Sequence, residues 1–355
     1  MFRIARSGAL AALAGALFAA PALAETFSVT MVSGHGTHLP WIRAIHEFFI
    51  PEVNGRLAAQ PQKHAIKWQE AYGGTIVKIG GELEAVRQGV AEMAHVYTIF
   101  EPANLPLLQV THVTPFSVAS VPALSRVMVE MNRDMKALQD QWSKHNQVFL
   151  GAVVADAIQL FTKKPVASIN ELKGMKVGAA GSLSLWANGI GMVPVQGDFA
   201  THYNNIKTGV YDSLLAFVTG SFPIKVHEVA PYVNKVNMGA TSIGAVTINK
   251  ALFDSMPREV QTVLREVGVD YSARVAATLE KAAYIFEENM AKQGATVSTF
   301  PEQERAKWAN TMPNIAQDWV RRNEERGLPA GEVLKAYLAK LRAAKQEPLR
   351  DWTKR

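Results

Sequence analysis

Between Phe27 and Ile248, short apolar runs alternate with longer stretches of helical period, and this alternation constrains the fold most strongly. A chain that keeps switching between a two-residue and a 3.6-residue apolar period builds strands covered by helices, the α/β arrangement. Phe27–Val32 reads as a first strand, closed by Ser33-Gly34-His35-Gly36. Pro40–Leu57 follows as a helix with Trp41, Ile45, Phe48 and Phe49 on one face. Ala65–Glu70 is a second strand, Gly81–Gln88 a helix stopped by Gly89, and Ala94–Tyr97 a third strand. One long amphipathic helix is predicted over Ser120–Asn146. The strand Val148–Val154 then completes a βαβαβ lobe.

The pattern restarts after that strand. Leu160–Thr162, Lys176–Ala179, Pro194-Val195, Ser213–Phe217 and Thr241–Ile248 read as strands of a second α/β lobe. Helices are expected at Ser184–Ile190 and His202–Lys207, ended by Gly191 and Gly209. Pro257–Lys292 reads as one long helix and Pro301–Lys345 as further helix, with a strand near Val297 returning to the second lobe. The expected division is 1–24 an export segment, 25–154 the first lobe with part of the C-terminal helices, 155–250 the second lobe, and 251–355 the long helix and the C-terminal helices. Two lobes joined by extended crossings leave a cleft, the usual seat of a small ligand. Hinge closure around that ligand is the expected motion.

The N-terminus reads as a cleavable export signal. Arg3 and Arg6 precede an apolar stretch from Gly8 to Ala20, and Ala22 and Ala24 supply the small residues of a cleavage site before Glu25. The stretch is shorter than the roughly 20 residues a membrane span needs. The expected location is the periplasm. Losing Arg3 and Arg6 lowers the formal charge of +6 by two, to +4, with the basic residues spread along the chain. That balance points to no nucleic-acid partner. The chain contains no cysteine, so neither disulfides nor a thiol nucleophile are available and its stability must come from its core.

The residues assemble no catalytic centre. There is no Gly-x-Ser-x-Gly elbow and no phosphate-binding loop, and Gly34-His35-Gly36 lacks the third glycine of a dinucleotide fingerprint. The carboxylate pairs Glu82/Glu84, Glu287/Glu288 and Glu324/Glu325 fall on helix surfaces expected to face water. His35 and His38 could take a metal with partners such as His95 or Glu70, which keeps a metal-binding protein as an alternative. A polar loop at the cleft mouth explains the pair equally. No cofactor is implied, and a binding protein is the expected class rather than an enzyme.

Five segments carry a family resemblance. Glu171-Leu172-Lys173-Gly174-Met175-Lys176-Val177 resembles the strand entry DLKGLKIR of the periplasmic solute-binding proteins of TRAP transporters, the DctP-like family. Tyr203–Asp212 resembles its EVYTALQTGVVDG segment, and Phe222–Tyr232 matches the stretch that follows. Ile248-Asn249-Lys250 with Asp254-Ser255-Met256-Pro257 resembles a further motif, as does Ala85–Ala94 in the first half. The similarity runs from about residue 26 to 300, and the order and spacing of the segments carry it. It implies a two-lobe periplasmic-binding-protein fold with a ligand cleft between the lobes and a long helix spanning both. It also implies a monomer that delivers a small-molecule solute, by family habit an organic acid, to a small and a large membrane subunit.

The resemblance breaks where the ligand is held. The family's clamp is an arginine at the end of the KIR strand, whose planar donors match a carboxylate. Here that position is Gly178, and no arginine occurs between Arg133 and Arg258. Thr201 stands where the family often has glutamate, and Glu70-Ala71-Tyr72-Gly73-Gly74 replaces an uncharged loop. Three solutes remain open. A carboxylate could be held by His35, His38, Lys163 and backbone amides. An amine or neutral solute could meet Glu70 or Asp156, with Tyr72, Tyr97, Trp186 or Phe217 as an aromatic face. A bulkier apolar solute could use the room left at Gly178, beside Ser182. Plainer readings stand next to these: Glu70 as a turn residue, Asp156 as an anchor for its own loop, Trp186 and Phe217 as core, and Asn249 as a residue holding the crossover rather than lining the cleft.

Overall fold

The computed structural model describes residues 24–354, so the export segment expected over residues 1–24 lies, apart from Ala24, outside the described residues. The strands come in chain order as β1 (Thr26–Val32), β2 (Ala65–Ala71), β3 (Met93–Val96), β4 (Gln147–Ala155), β5 (Ile158–Thr162) and β6 (Lys176–Ala179). Then follow β7 (Val193–Gln196), β8 (Ser213–Phe217), β9 (Tyr232–Lys235), β10 (Thr241–Asn249) and β11 (Thr296–Thr299). They form two sheets, β2-β1-β3-β10-β4 and β11-β9-β5-β8-β6-β7. In the first, β1 pairs in parallel with β2 and β3, and β10 runs antiparallel between β3 and β4. In the second, β6 pairs in parallel with β7 and β8, and β5 runs antiparallel to β8 and β9.

The expected second-lobe strand Thr241–Ile248 lies in the first sheet instead. Its side chains are buried along nearly its whole length, so its own residues suit any central slot, and the path of the chain decides which one it takes. The strand around Val297 does return to the second sheet, beside β9. The predicted helix Ser120–Asn146 is two helices, Val121–Asp134 and Lys136–Lys144, broken at Met135, whose ψ is 111°. The turn lets Trp142 Nε1 donate to Asn132 Oδ1 at 2.8 Å with both residues buried. The helix from Pro40 runs to Ala59 through a π-turn at Ile45–Phe49. Pro51 has no N–H to offer, and the Ile50 N–H bonds the Ile45 carbonyl across that wider turn.

The helix Arg258–Lys292 packs on β4 and Val121–Asp134 in the first lobe and on Val218–Ser221 and β11 in the second. One apolar core runs from Met31, Trp41 and Val96 in the first lobe to Leu183, Leu215 and Phe217 in the second. A smaller cluster around Phe161, Tyr211 and Val233 backs the second sheet. Among the described residues no helix is long and apolar enough to cross a membrane.

Candidate ligand-binding site

β1 delivers His35 to the cleft. The Ser33–Gly36 loop is stitched to the turn after β2, with the Gly73 N–H bonding the His35 carbonyl at 3.0 Å and the Gly74 N–H the Ser33 carbonyl at 3.2 Å. Gly34 has to be glycine, because a Cβ there would stand 2.4 Å from the Ile79 backbone nitrogen. Glu82 holds the loop from below, accepting the Gly34 N–H at 2.9 Å and the Gly80 N–H at 2.8 Å. The expectation of a solvated Glu82 is therefore wrong: it is buried, and burial pushes its carboxyl up to about 7 despite those bonds. Two loop amides point at it, which draws the carboxylate inward.

His35 lies against Tyr97 from the end of β3, edge-on with ring centroids 4.8 Å apart. The Tyr97 hydroxyl is fixed by Trp41 Nε1, which donates to it at 3.3 Å, and by Ser33 Oγ at 3.2 Å. From the second lobe, Phe199 meets Phe217 edge-on at 5.0 Å and comes within 6.4 Å of Trp41 and 6.3 Å of His35 across the cleft. His202 packs edge-on to Phe199 at 5.6 Å. Together these rings wall a cavity of about 30 Å³ between the lobes, which Asp198 also lines. That volume admits a water or two at most. No lysine or arginine lines it.

The electrostatics of this wall are set by burial. Both nitrogens of His35 are buried and without a protein partner, and desolvation lowers its pKa to about 4, against a small opposing pull from Asp198. His202 is held at about 4 for the same reason. Both rings are therefore neutral at pH 7. Asp198 has already spent part of its carboxylate, accepting the Ala200 N–H at 2.8 Å, and Thr201 donates its hydroxyl to the Asp198 carbonyl at 3.1 Å.

The structure brings His35, Tyr97 and Phe217 together and leaves the other expected site residues elsewhere. His38 is exposed beyond the loop, and Glu70 pairs with His46 at 2.8 Å on the outside of the first lobe, with Tyr72 half-buried nearby. Asp156 is buried and accepts the Val218 N–H at 2.8 Å, the Thr219 N–H at 3.4 Å and the Thr219 hydroxyl. It caps the turn that follows Phe217. Lys163 faces Asp212 at 3.6 Å. Ser182 donates to Gln109 Oε1 at 2.8 Å, and Trp186 is core, donating to the His112 carbonyl at 2.7 Å. Asn249 caps the helix after β10, accepting the Leu252 N–H at 3.1 Å and donating to the Val86 carbonyl at 2.9 Å. At Gly178 a Cβ would stand 2.5 Å from the Tyr211 ring, so the room there is already filled. Among the described residues no three His, Asp or Glu side chains gather as a metal site, and His35 and His38 point to different surroundings. Phe199 and His202 were not singled out for the cleft from the sequence. Phe199 sits in the turn after β7 and His202 opens the short helix His202–Lys207, and neither has a local apolar period that marks it as a wall residue.

A family model described as bacterial extracellular solute-binding protein, family 7 (DctP), matches residues 55–323. The chain belongs to this family. A solute-binding protein of Albidiferax ferrireducens is 22% identical over 285 residues, 78% of this chain and 80% of its own length. An extracytoplasmic solute receptor of Bordetella pertussis that binds pyroglutamic acid superposes with a TM-score of 0.76 at 23% identity, over 87% of this chain and 99% of that one. A TRAP solute-binding protein of Rhodoferax ferrireducens, in complex with benzoate, gives 0.79 at 16% identity over 90% and 98%. The family 7 chain thus has the two-lobe receptor fold. Its relatives are solute-binding receptors rather than enzymes, and TRAP receptors take up small solutes and work with membrane subunits.

Proposed function

We propose that this chain is the extracytoplasmic receptor of a TRAP-type transporter, exported behind residues 1–24, and that its solute is a small monocarboxylic acid with an aromatic or otherwise apolar body. The observation that carries this reading is His35, a buried imidazole on the cavity wall with both nitrogens unpartnered. A buried polar group without a partner is costly, and a solute that supplies the partner recovers that cost. The aromatic walls around it favour a flat apolar body. With no cationic side chain on the wall, a second carboxylate would meet no counter-charge and would face Asp198. Two solved relatives carry small monocarboxylic acids, pyroglutamic acid and benzoate. The cavity holds no more than a water or two, so entry of a solute requires the lobes to part at the hinge.

A second reading has Asp198 behind it. Its carboxylate faces the same cavity and could hold an amine in place of an acid. Melting shifts with benzoate, succinate and benzylamine separate the two, since a ligand of the folded form raises stability by RT ln(1 + [L]/Kd). Benzoate is expected to raise Tm in the wild type and not in His35→Ala, with succinate inert. A benzylamine shift abolished by Asp198→Asn would replace the acid reading with the amine one.

A further inference from the structure

At Gly178, where the family's arginine would be, the space is occupied. The Tyr211 ring fills it, and its Cε2 and Cζ would lie 2.5 and 2.6 Å from a Cβ at residue 178. The Tyr211 hydroxyl sits 2.6 Å from His202 Nδ1, and Asn205 Nδ2 donates to it at 3.4 Å. Gly197 makes room for the same pair, since a Cβ there would be 3.1 Å from both the Tyr211 hydroxyl and the His202 ring. His202 is buried and lines the cavity.

These contacts favour one direction for the hydrogen bonds. An amide N–H can only donate, so Asn205 takes one lone pair of the hydroxyl, and the arrangement that also uses the hydroxyl proton has Tyr211 donating to His202 Nδ1. A neutral imidazole that accepts at Nδ1 carries its proton on Nε2. The opposite tautomer would leave Nε2 with a lone pair, which repels a carboxylate oxygen. The ring is neutral at pH 7 because burial holds it at about 4, so the tautomer, rather than a charge, decides what it offers.

We infer that Tyr211 is a positioning residue for the solute: it occupies the space left by Gly178 and locks His202 as an Nε2–H donor on the second lobe's side of the cleft, in place of the family's arginine. The inference deepens the carboxylate reading above and rests on it for the choice of solute. A neutral one-pronged donor replaces a two-pronged cation, so this side of the cleft meets one acceptor atom of the solute.

The test is ring ¹⁵N spectroscopy on the labelled full chain at pH 7, with calorimetric titration of benzoate. Wild-type His202, assigned by its loss in His202→Gln, is expected to show a protonated Nε2 and an accepting Nδ1. Tyr211→Phe keeps the ring beside Gly178 and removes only the hydroxyl. It is expected to mix the two tautomers and to weaken benzoate binding about tenfold. A protonated Nδ1 in the wild type overturns the inference, as does a Tyr211→Phe protein with unchanged tautomer and affinity. If Tyr211→Phe does not fold, the wild-type tautomer alone decides. If benzoate does not bind the wild type, the carboxylate reading fails while the tautomer still tests the Tyr211–His202 lock.

Discussion

Gly151 of β4 and Gly268 of the long helix meet backbone against backbone: a Cβ on Gly268 would stand 2.3 Å from the Leu150 carbonyl oxygen, and one on Gly151 2.4 Å from the Gly268 carbonyl oxygen. Neither obstacle is a side-chain tip that can swing away. Ser272 Oγ, within the helix, donates to the same Gly268 carbonyl at 2.7 Å. Gly268→Ala should push the helix off the sheet and destabilise the protein by about 1–3 kcal/mol, the usual cost of overpacking. Urea unfolding measures it, and an unshifted midpoint would show that the helix is free to move.

Asp156 should matter for stability rather than for the choice of solute. Asp156→Ala leaves the Val218 and Thr219 amides without their acceptor inside the protein, at a cost of about 1–3 kcal/mol. Glu70→Gln, on the outer surface, should leave both stability and binding unchanged. Thermal melts with and without benzoate check both variants. A changed ligand preference in Glu70→Gln would return that residue to the cleft.

Acid should weaken the fold. Burial holds His95 and His112 at about 3 and His35 and His202 at about 4. Each stays neutral when folded but takes a proton when unfolded below its ordinary value of 6.5, so stability drops as pH falls from there toward 4. Buried Glu82 and Asp156, both held near 7, oppose this, because they bind their proton in the fold before the unfolded chain does. Four groups against two leave about two protons, or roughly 3 kcal/mol per pH unit between about pH 6 and 5. Urea midpoints at pH 7, 6 and 5 give the slope, and a midpoint that rises toward pH 5 would contradict it.

Phe199 should control closure. It packs on Phe217 in its own lobe and on Trp41 and His35 in the other. An aromatic pair is worth about 0.5–1.5 kcal/mol beyond its buried area. Phe199→Ala should therefore bind benzoate about tenfold more weakly. It should also show a smaller decrease in radius of gyration by small-angle scattering when benzoate is added. Equal compaction in the two proteins would remove Phe199 from the closing contact.

What could be read in advance followed local chemistry. Lys176–Ala179, His202–Lys207 and Ser213–Phe217 have the bounds expected of them because Gly174 and Gly209 punctuate them at positive φ. The long helix was legible from its length of uninterrupted period. The sheet that receives Thr241–Asn249 was not, since a strand buried on both faces says nothing of its neighbours. In the cleft, His35, Tyr97 and Phe217 stood out because each closes a strand or follows one. Glu82 and Asp156 looked available for solvent or solute, and each is claimed by backbone amides, among them Gly34 and Val218, distant in sequence. Phe199 and His202 owe their role to a surface more than a hundred residues upstream, and no local pattern encodes that.

Among the described residues β10 is the only strand bonded to β4, and it also completes the pairing of β3. Both strands are made long before it. While the chain is being synthesised, the first lobe therefore waits with two open edges, the kind that invite mispairing, until residue 249 returns from the far side of the second lobe. The first sheet is finished only after most of the second has been made, and the second only when β11 follows. The molecule should consequently mature as one cooperative unit, and a chain cut short anywhere in the second lobe should yield no usable half.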